Sequence, residues 1–150
     1  MTEPLITADL VDLDLPSDGR REAVRALAER LVKAGRVTDI DRFLADIEAR
    51  EAQMPTGLEG GIGIPHCRSA AVTVPSLAFG RSTTGVDFGA EDGPARLIFM
   101  IAAPEGGNTD HMTVLAALAR RLVRKAFKNE LLEATDAGHV ADYVQKEVAG

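Results

Sequence analysis

The sequence predicts an α/β fold, a three-layer α/β/α sandwich in which helices flank a mixed, mostly buried central sheet. Leu97 to Ala103 is apolar throughout, which is typical of a strand buried on both faces. Several longer segments repeat apolar residues with the period of amphipathic helices. These helical segments are interspersed with strand patterns, so helices are expected to cover both sides of the sheet.

The chain begins with one predicted strand and one predicted helix. Residues 11–15 alternate apolar and acidic side chains, which indicates a half-buried first strand. The apolar positions of residues 24–32 then fall on one helical stripe. Ser17 or Asp18 is the expected N-cap of this helix, and Gly35 is expected to end it.

A second helix is expected over residues 39–54. Thr38 begins a pattern that resembles a capping box, with the acidic Asp41 at its third position. The predicted core-facing residues are Ile40, Phe43, Leu44, Ile47 and Met54. Arg50 lies about 60° round the helix from Ile47, at the border of this stripe. Its guanidinium can therefore point toward a neighbouring loop.

The second half predicts two strands and three helices. Residues 72–82 change their apolar phase at Pro75, which indicates a bulged or edge-like strand ahead of the central one. The next helix has Asn108, Thr109 or Asp110 as its cap and apolar positions at Leu115, Leu118, Ala119, Leu122 and Val123. Two helices over 126–135 and 137–148 complete the chain.

Composition limits the function classes. The length of 150 residues suits one domain, and the net charge of -6 argues against general binding of nucleic acid or anionic membranes. The single cysteine, Cys67, fits a reducing compartment. No secretory signal is seen, and no apolar run reaches the roughly 18 residues that span a bilayer. A soluble cytoplasmic protein without membrane insertion is expected.

The stretch from Gly60 to Arg68 carries the strongest chemical signal. Its three glycines let the backbone approach something bulky, and Pro65 stiffens the segment that delivers His66. A neutral imidazole can use one nitrogen as a nucleophile while a hydrogen bond holds the other. His66 is therefore the leading candidate for a functional side chain.

The run Thr56-Gly57-Leu58-Glu59-Gly60-Gly61-Ile62-Gly63-Ile64-Pro65-His66 resembles that of a known family. This family is the enzyme IIA domain of the fructose and mannitol class of the bacterial sugar phosphotransferase system. Arg50-Glu51-Ala52 resembles its upstream Arg-Glu pair, and His111 resembles its second histidine. The resemblance extends over residues 5–148, and it implies that residues 1–150 form a single phosphoryl-carrier domain.

The resemblance implies a role for each site residue. His66 would accept the phosphoryl group, His111 would donate a hydrogen bond to the phosphoryl oxygens, and Arg50 would supply a fixed positive charge. Thr56 would hold the non-reacting ring nitrogen or the loop. The backbone of the glycine-rich segment, at Gly61 and Gly63, would donate further N–H groups.

The chain departs from the usual family pattern at four positions. Glu59 stands where Gly is usual, Gly60 where Asn is usual, Gly63 where Ala is usual, and Cys67 where Gly is usual. These departures concern the shape of the loop more than the role of His66.

The predicted function is that of a phosphoryl carrier without a cofactor or metal. It would take phosphoryl from the phosphorylated histidine phosphocarrier protein and pass it to an enzyme IIB partner, with fructose as the preferred sugar. The membrane enzyme IIC would complete the uptake step. The alternative within the family is a nitrogen-regulatory enzyme IIA that acts through phosphorylation-dependent protein binding.

Two alternatives from other classes remain open at the sequence level. The first is a hydrolase with a dyad of Cys67 and His111, which requires a thiolate of lowered pKa. The second is a metal site formed by His66, Cys67, Asp110 and His111. This second alternative is less favoured, because neighbouring residues on an extended segment point to opposite sides.

Overall fold

The computed structural model describes residues 4–15, 19–54, 56–106 and 110–149. Its strands are β1 (Val11–Asp12), β2 (Gly57–Leu58), β3 (Ile62–Gly63), β4 (His66–Ser69), β5 (Ser76–Val86) and β6 (Ala95–Pro104). Its α-helices are α1 (Arg20–Lys33), α2 (Ile40–Gln53), α3 (Asp110–Leu122), α4 (Lys125–Glu133) and α5 (Ala137–Val144). A short 3-10 helix precedes β1 and a π-helical turn follows α5.

The six strands of the described residues form one mixed sheet, in which five follow the order β1-β5-β6-β3-β2 and β4 pairs with β6 off this path. The long β6 lies at its centre, antiparallel to β5 and parallel to both β3 and β4. The apolar run predicted as the central strand is β6, and Leu97 to Ala103 are all buried there. The prediction of a buried central strand is thus confirmed.

Helices flank this sheet, as the α/β prediction requires. α1 and α2 contact each other and reach the sheet at β5 and β4 respectively, whereas α3 packs on β6 and contacts α4. The ring of Phe99 on β6 stacks at 6.4 Å from that of Phe127 on α4, so odd-numbered β6 residues face α4. The predicted α/β architecture is confirmed.

The start of the chain is less regular than predicted. Only Val11–Asp12 pair as a strand, because the Asp12 carboxylate accepts a hydrogen bond from the Asp14 N–H and turns the chain. The helix predicted next is α1, and Gly35 follows it with a φ of 78°. The predicted caps Ser17 and Asp18 lie outside the described residues.

The second helix begins one residue later than the capping pattern suggests. Asp39 is its N-cap and accepts the N–H of Arg42, while the Thr38 hydroxyl instead donates to the Ala71 carbonyl. Phe43 and Ile47 are buried as predicted. Met54 was expected in the core but is 65% exposed, because the helix ends at Gln53.

The second half of the chain departs from the prediction at β5 and at α3. β5 begins at Ser76 rather than at residue 72, since Pro75 lacks the N–H that a ladder needs, and its irregularity lies between Arg81 and Val86. Ala119 and Val123 are exposed, the latter because α3 ends at Leu122. Asn108 and Thr109, proposed as helix caps, lie outside the described residues, as does the side chain of Asp110.

Candidate functional site

His66 is the first residue of β4, and Pro65 separates β4 from β3. Both short strands follow β6 in one register, because Ile62 pairs with Leu97 and His66 pairs with Ile101. β3 itself ends at Gly63, and His66 begins a new strand directly after Pro65. Proline interrupts the ladder for lack of an N–H, but its carbonyl still accepts the N–H of Ile101 at 3.0 Å.

The orientation of the His66 ring follows from this register. Paired residues of adjacent strands point to the same face, and Ile101 alternates in phase with Phe99. Phe99 faces α4, so His66 points into the helical layer formed by α3 and α4. His66 as a whole is 8% exposed.

One nitrogen of the His66 ring has a fixed partner. Nδ1 lies 2.7 Å from the carbonyl oxygen of Ile64, two residues earlier. A carbonyl can only accept, so Nδ1 carries the proton and donates this bond. In the neutral ring the lone pair is then on Nε2, which gives Nε2 the character of a nucleophile.

The environment of His66 favours its neutral form. Burial lowers the pKa of His66 below 6.5, and the hydrogen bond to Ile64 opposes that shift. The positive charge of Arg50 lowers the pKa further, whereas the negative charge of Glu51 raises it. The ring is therefore uncharged at neutral pH, as a nitrogen nucleophile must be.

Arg50 lies on the last turns of α2, close enough to His66 for its charge to act on the ring. Its Nη1 donates to the Met54 carbonyl at 3.3 Å. Two carboxylates on the same helix were its possible ion-pair partners, but Asp46 pairs with Arg42 and Glu51 accepts from Thr56. Among the described residues, Arg50 thus makes no ion pair that would neutralise its charge.

Thr56 holds the loop rather than the ring. Its N–H and hydroxyl both donate to the Glu51 carboxylate, at 2.8 and 2.6 Å, and its carbonyl accepts the N–H of Ile64 at 3.1 Å. The ring nitrogen that Thr56 was expected to hold is bound by the Ile64 carbonyl instead. Of the two roles expected for Thr56, the structure shows the one in the loop.

The glycine-rich segment forms a hairpin away from His66. Gly60 and Gly61 have φ values of 91° and 78°, and they turn the chain from β2 into β3. The carbonyl of Gly61 accepts from the N–H groups of Arg96 and Leu97. Leu97 precedes the partner of His66 on β6 by four residues, or about 13 Å. Gly61 is therefore not brought together with His66.

Gly63 also serves packing rather than the site. It pairs with Ile98, three positions before the partner of His66, and a Cβ built on it would lie 2.7 Å from the Phe88 ring. The absent side chain makes room for this buried ring. The glycine-rich backbone is thus a turn and a packing surface, and neither Gly61 nor Gly63 borders the ring of His66.

His111 stands in the first turn of α3, the helix that packs on the same face of the sheet. Its side chain is outside the described part of the structure, so its role as a second histidine stays a prediction. The third histidine, His139, is exposed and pairs with Glu130 at 2.5 Å.

The environment of Cys67 argues against the hydrolase alternative. Cys67 is 5% exposed, and burial, together with the charge of Asp46, raises the pKa of its thiol to about 12. A nucleophilic cysteine needs a lowered pKa, whereas this thiol stays protonated at neutral pH.

Within the described residues, no group of three or more His, Cys, Asp or Glu side chains is arranged to hold a metal ion.

Sequence reasoning placed Glu51 in the Arg50-Glu51-Ala52 motif but assigned it no role of its own. Glu51 is 5% exposed and stands four residues after Ile47, which itself follows Phe43 by four. A carboxylate in the line of an apolar stripe is a signal of buried hydrogen bonding, because an unpaired buried charge is costly. The position of Glu51 in the apolar stripe was therefore visible in the sequence, although its hydrogen-bond partner Thr56 was not.

The fold and site together define a class of α/β proteins with a neutral, oriented histidine on a strand beside a fixed arginine. Within that class the chain belongs to the family described as "Phosphoenolpyruvate-dependent sugar phosphotransferase system, EIIA 2", whose model matches residues 4–147. It is thus a phosphotransferase component.

Across the described residues, no helix combines the length and apolar character needed to cross a bilayer.

Three known proteins are similar to this chain over nearly its whole length. The fructose-specific EIIA component of Haloferax volcanii is 40% identical over 141 residues, which cover 93% of this chain and 92% of that protein. The nitrogen regulatory protein IIA-Ntr of Neisseria meningitidis matches in structure with a TM-score of 0.84 and 28% identity, over 93% and 96% of the two chains. The enzyme IIA chain in the Escherichia coli complex of mannitol IIA with phosphorylated IIB matches with a TM-score of 0.78 and 27% identity. The match covers 94% of this chain and 97% of that chain.

Proposed function

We propose that this chain carries phosphoryl groups on Nε2 of His66. It accepts the group from the phosphorylated histidine phosphocarrier protein and passes it to a fructose-specific enzyme IIB. The observation that carries this proposal is the 2.7 Å hydrogen bond from Nδ1 to the Ile64 carbonyl, which leaves the lone pair on Nε2. Residues 1–150 act in this as one domain.

The transfer is a displacement at phosphorus. The Nε2 lone pair of neutral His66 forms a bond to the phosphorus of the donor phosphohistidine while the donor N–P bond breaks. The electron pair of the broken bond returns to the donor ring. The proton on Nδ1 of His66 stays in place, and its bond to the Ile64 carbonyl strengthens as the ring gains positive charge.

Two side chains support the phosphoryl oxygens in this proposal. Arg50 supplies a positive charge that no described carboxylate neutralises, and such charges stabilise a phosphoryl group during transfer. His111 donates a hydrogen bond from the first turn of α3, where the helix dipole also favours an anion. Onward transfer is the reverse displacement, with a cysteine thiolate of enzyme IIB as the attacking group.

The choice of sugar and partner rests on the similar proteins. The Haloferax volcanii relative is named as fructose-specific, and its 40% identity extends over nearly both whole chains. The mannitol enzyme IIA was solved bound to a phosphorylated enzyme IIB, which supports a IIB partner here. A separate membrane enzyme IIC would then phosphorylate the incoming sugar together with IIB.

A regulatory role is the second candidate. The nitrogen regulatory protein of Neisseria meningitidis has the same fold at a TM-score of 0.84, and a regulatory chain needs the same phosphorylated histidine. The two functions differ after phosphorylation. A transport component passes the group on to IIB and sugar, whereas a regulator retains it and changes its protein contacts.

The proposal is tested by phosphorylation from phosphoenolpyruvate, enzyme I and the phosphocarrier protein. Intact-mass analysis should show one acid-labile phosphoryl group on the wild-type chain and none on His66→Gln. His139→Gln is the matched control, because His139 is exposed and lies outside the site. Equal phosphorylation of His66→Gln, or none of the wild type beside a labelled known enzyme IIA, would refute the proposal.

Addition of fructose-class enzymes IIB and IIC with fructose separates transport from regulation. Loss of the phosphoryl group with formation of fructose phosphate indicates transport. Retention of the group in the presence of active IIB and IIC from a fructose system indicates the regulatory role.

A further inference from the structure

Glu51 is a buried carboxylate with both of its oxygens occupied. It lies in the last turn of α2, and Thr56 donates to it twice, through its N–H at 2.8 Å and its hydroxyl at 2.6 Å. Burying a carboxylate costs free energy unless such partners compensate. The pair thus ties the end of α2 firmly to the residue that enters β2.

The same pair is connected to the His66 ring through the backbone. The carbonyl of Thr56 accepts the N–H of Ile64 at 3.1 Å, and the carbonyl of Ile64 accepts Nδ1–H of His66 at 2.7 Å. A continuous line of hydrogen bonds therefore runs from the Glu51 carboxylate to the imidazole. Each bond fixes the position of the group that makes the next one.

The helical turn that holds Glu51 also holds Arg50. Because these residues are adjacent on α2, the bond that Thr56 donates to Glu51 ties the Arg50 turn to the segment that leads to His66. The charges of both residues act on His66, with opposite signs. Phosphoryl transfer depends on the alignment of nucleophile and stabilising charge, and an error of about 1 Å can cost about 100-fold in rate.

We propose that Glu51 and Thr56 form a positioning pair that holds His66 in its Nδ1–H tautomer and keeps its ring in a fixed position relative to Arg50. This role rests on the proposed function of His66 as phosphoryl acceptor. Neither residue touches the phosphoryl group. The pair acts by fixing the Ile64 carbonyl, and through it the ring, so that Nε2 keeps its lone pair toward the donor.

The kinetic test measures single-turnover transfer from the phosphorylated phosphocarrier protein. Thr56→Val removes the hydroxyl at nearly constant volume and should slow transfer by about tenfold to 100-fold. Thr56→Ser keeps the hydroxyl and should restore most of the rate. Glu51→Gln should also slow transfer, because an amide offers one acceptor oxygen in place of two. It provides a second variant if Thr56→Val does not fold.

Ser82→Ala is the control variant, because it should lower the stability of the protein without moving the His66 ring. Ser82 is fully buried, and its hydroxyl accepts the N–H of Gly85 at 2.9 Å. It lies five residues along β5 from Leu77, which pairs with the same β6 residue as His66. Its removal should lower thermal stability while leaving the transfer rate near that of the wild type.

A spectroscopic readout separates positioning from stability. Long-range ¹H–¹⁵N correlation spectra of His66 should show a protonated Nδ1 and an unprotonated Nε2 in the wild type and in Ser82→Ala. Thr56→Val should shift the ring toward a mixture of both neutral tautomers, with faster exchange of the Nδ1 proton. This measurement does not require phosphorylation.

The outcomes separate this inference from the proposed function. If the wild-type chain is phosphorylated and Thr56→Val or Glu51→Gln transfers phosphoryl at the wild-type rate, the positioning role alone is overturned. An unchanged His66 tautomer in Thr56→Val would also overturn the positioning role. The same holds if Ser82→Ala slows transfer as much as Thr56→Val does. A wild type that accepts no phosphoryl group would overturn the proposed function, and this role in transfer with it.

Discussion

At the scale of single residues, the state of His66 depends on a balance of burial and two neighbouring charges. Burial and Arg50 lower its pKa, while the hydrogen bond to Ile64 and the charge of Glu51 raise it. The net shift is downward from 6.5, so the neutral form dominates at neutral pH. Phosphoryl acceptance should therefore decline only as the pH falls through the lowered pKa.

This balance predicts shifts of opposite sign for two adjacent residues. Arg50→Gln removes a positive charge that disfavours the imidazolium, so it should raise the pKa of His66. Glu51→Gln removes a negative charge that favours the imidazolium, so it should lower this pKa. NMR titration of the His66 ring protons measures both shifts.

Arg42→Gln is the matched control for these shifts. Arg42 lies two turns earlier on α2 and pairs with Asp46 and Glu105, so its removal should leave the His66 titration almost unchanged. Shifts of the same sign in Arg50→Gln and Glu51→Gln would contradict the electrostatic account.

At the scale of elements, the short strand β3 is adapted to the ring of Phe88. A Cβ at Gly63 would lie 2.7 Å from Cδ2 and 2.9 Å from Cγ of this ring. Phe88 is 1% exposed and has little freedom to move. The glycine and the phenylalanine are therefore a compensating pair.

Gly63→Ala should destabilise the protein by about 1–3 kcal/mol, as overpacking of a filled core does. Urea unfolding measures this loss. Phe88→Leu removes the atoms that the new Cβ would meet, so the double variant should lose less than the sum of the two single losses. Strict additivity, or a neutral Gly63→Ala, would contradict this packing account.

At the scale of the whole molecule, the elements that were predicted best carry their signal locally. The apolar run of β6 and the helical stripes of α1 and α2 need no knowledge of distant partners. A connected core from Leu5 to Val148 supports the single domain that the sequence suggests. The number of domains itself stays a prediction.

The details of the site were harder to predict because they depend on contacts across the chain. The motif predicts site roles for His66 and Arg50, but the partner of Nδ1 is a backbone carbonyl, which leaves no trace in residue types. Gly61 and Gly63 were expected beside His66 because glycine suits close ligand approach, but glycine also serves turns and packing. Only the register on β6 shows that they lie away from the ring.

The most direct test of the account is to identify which atom carries the phosphoryl group. In the ¹⁵N-labelled, phosphorylated chain, ³¹P–¹⁵N coupling should connect phosphorus to Nε2 of His66, while Nδ1 remains protonated and bonded to the Ile64 carbonyl. Phosphorus on Nδ1 of His66, or on any other residue, would contradict the account, because the hydrogen bond that orients the ring would then have to be broken.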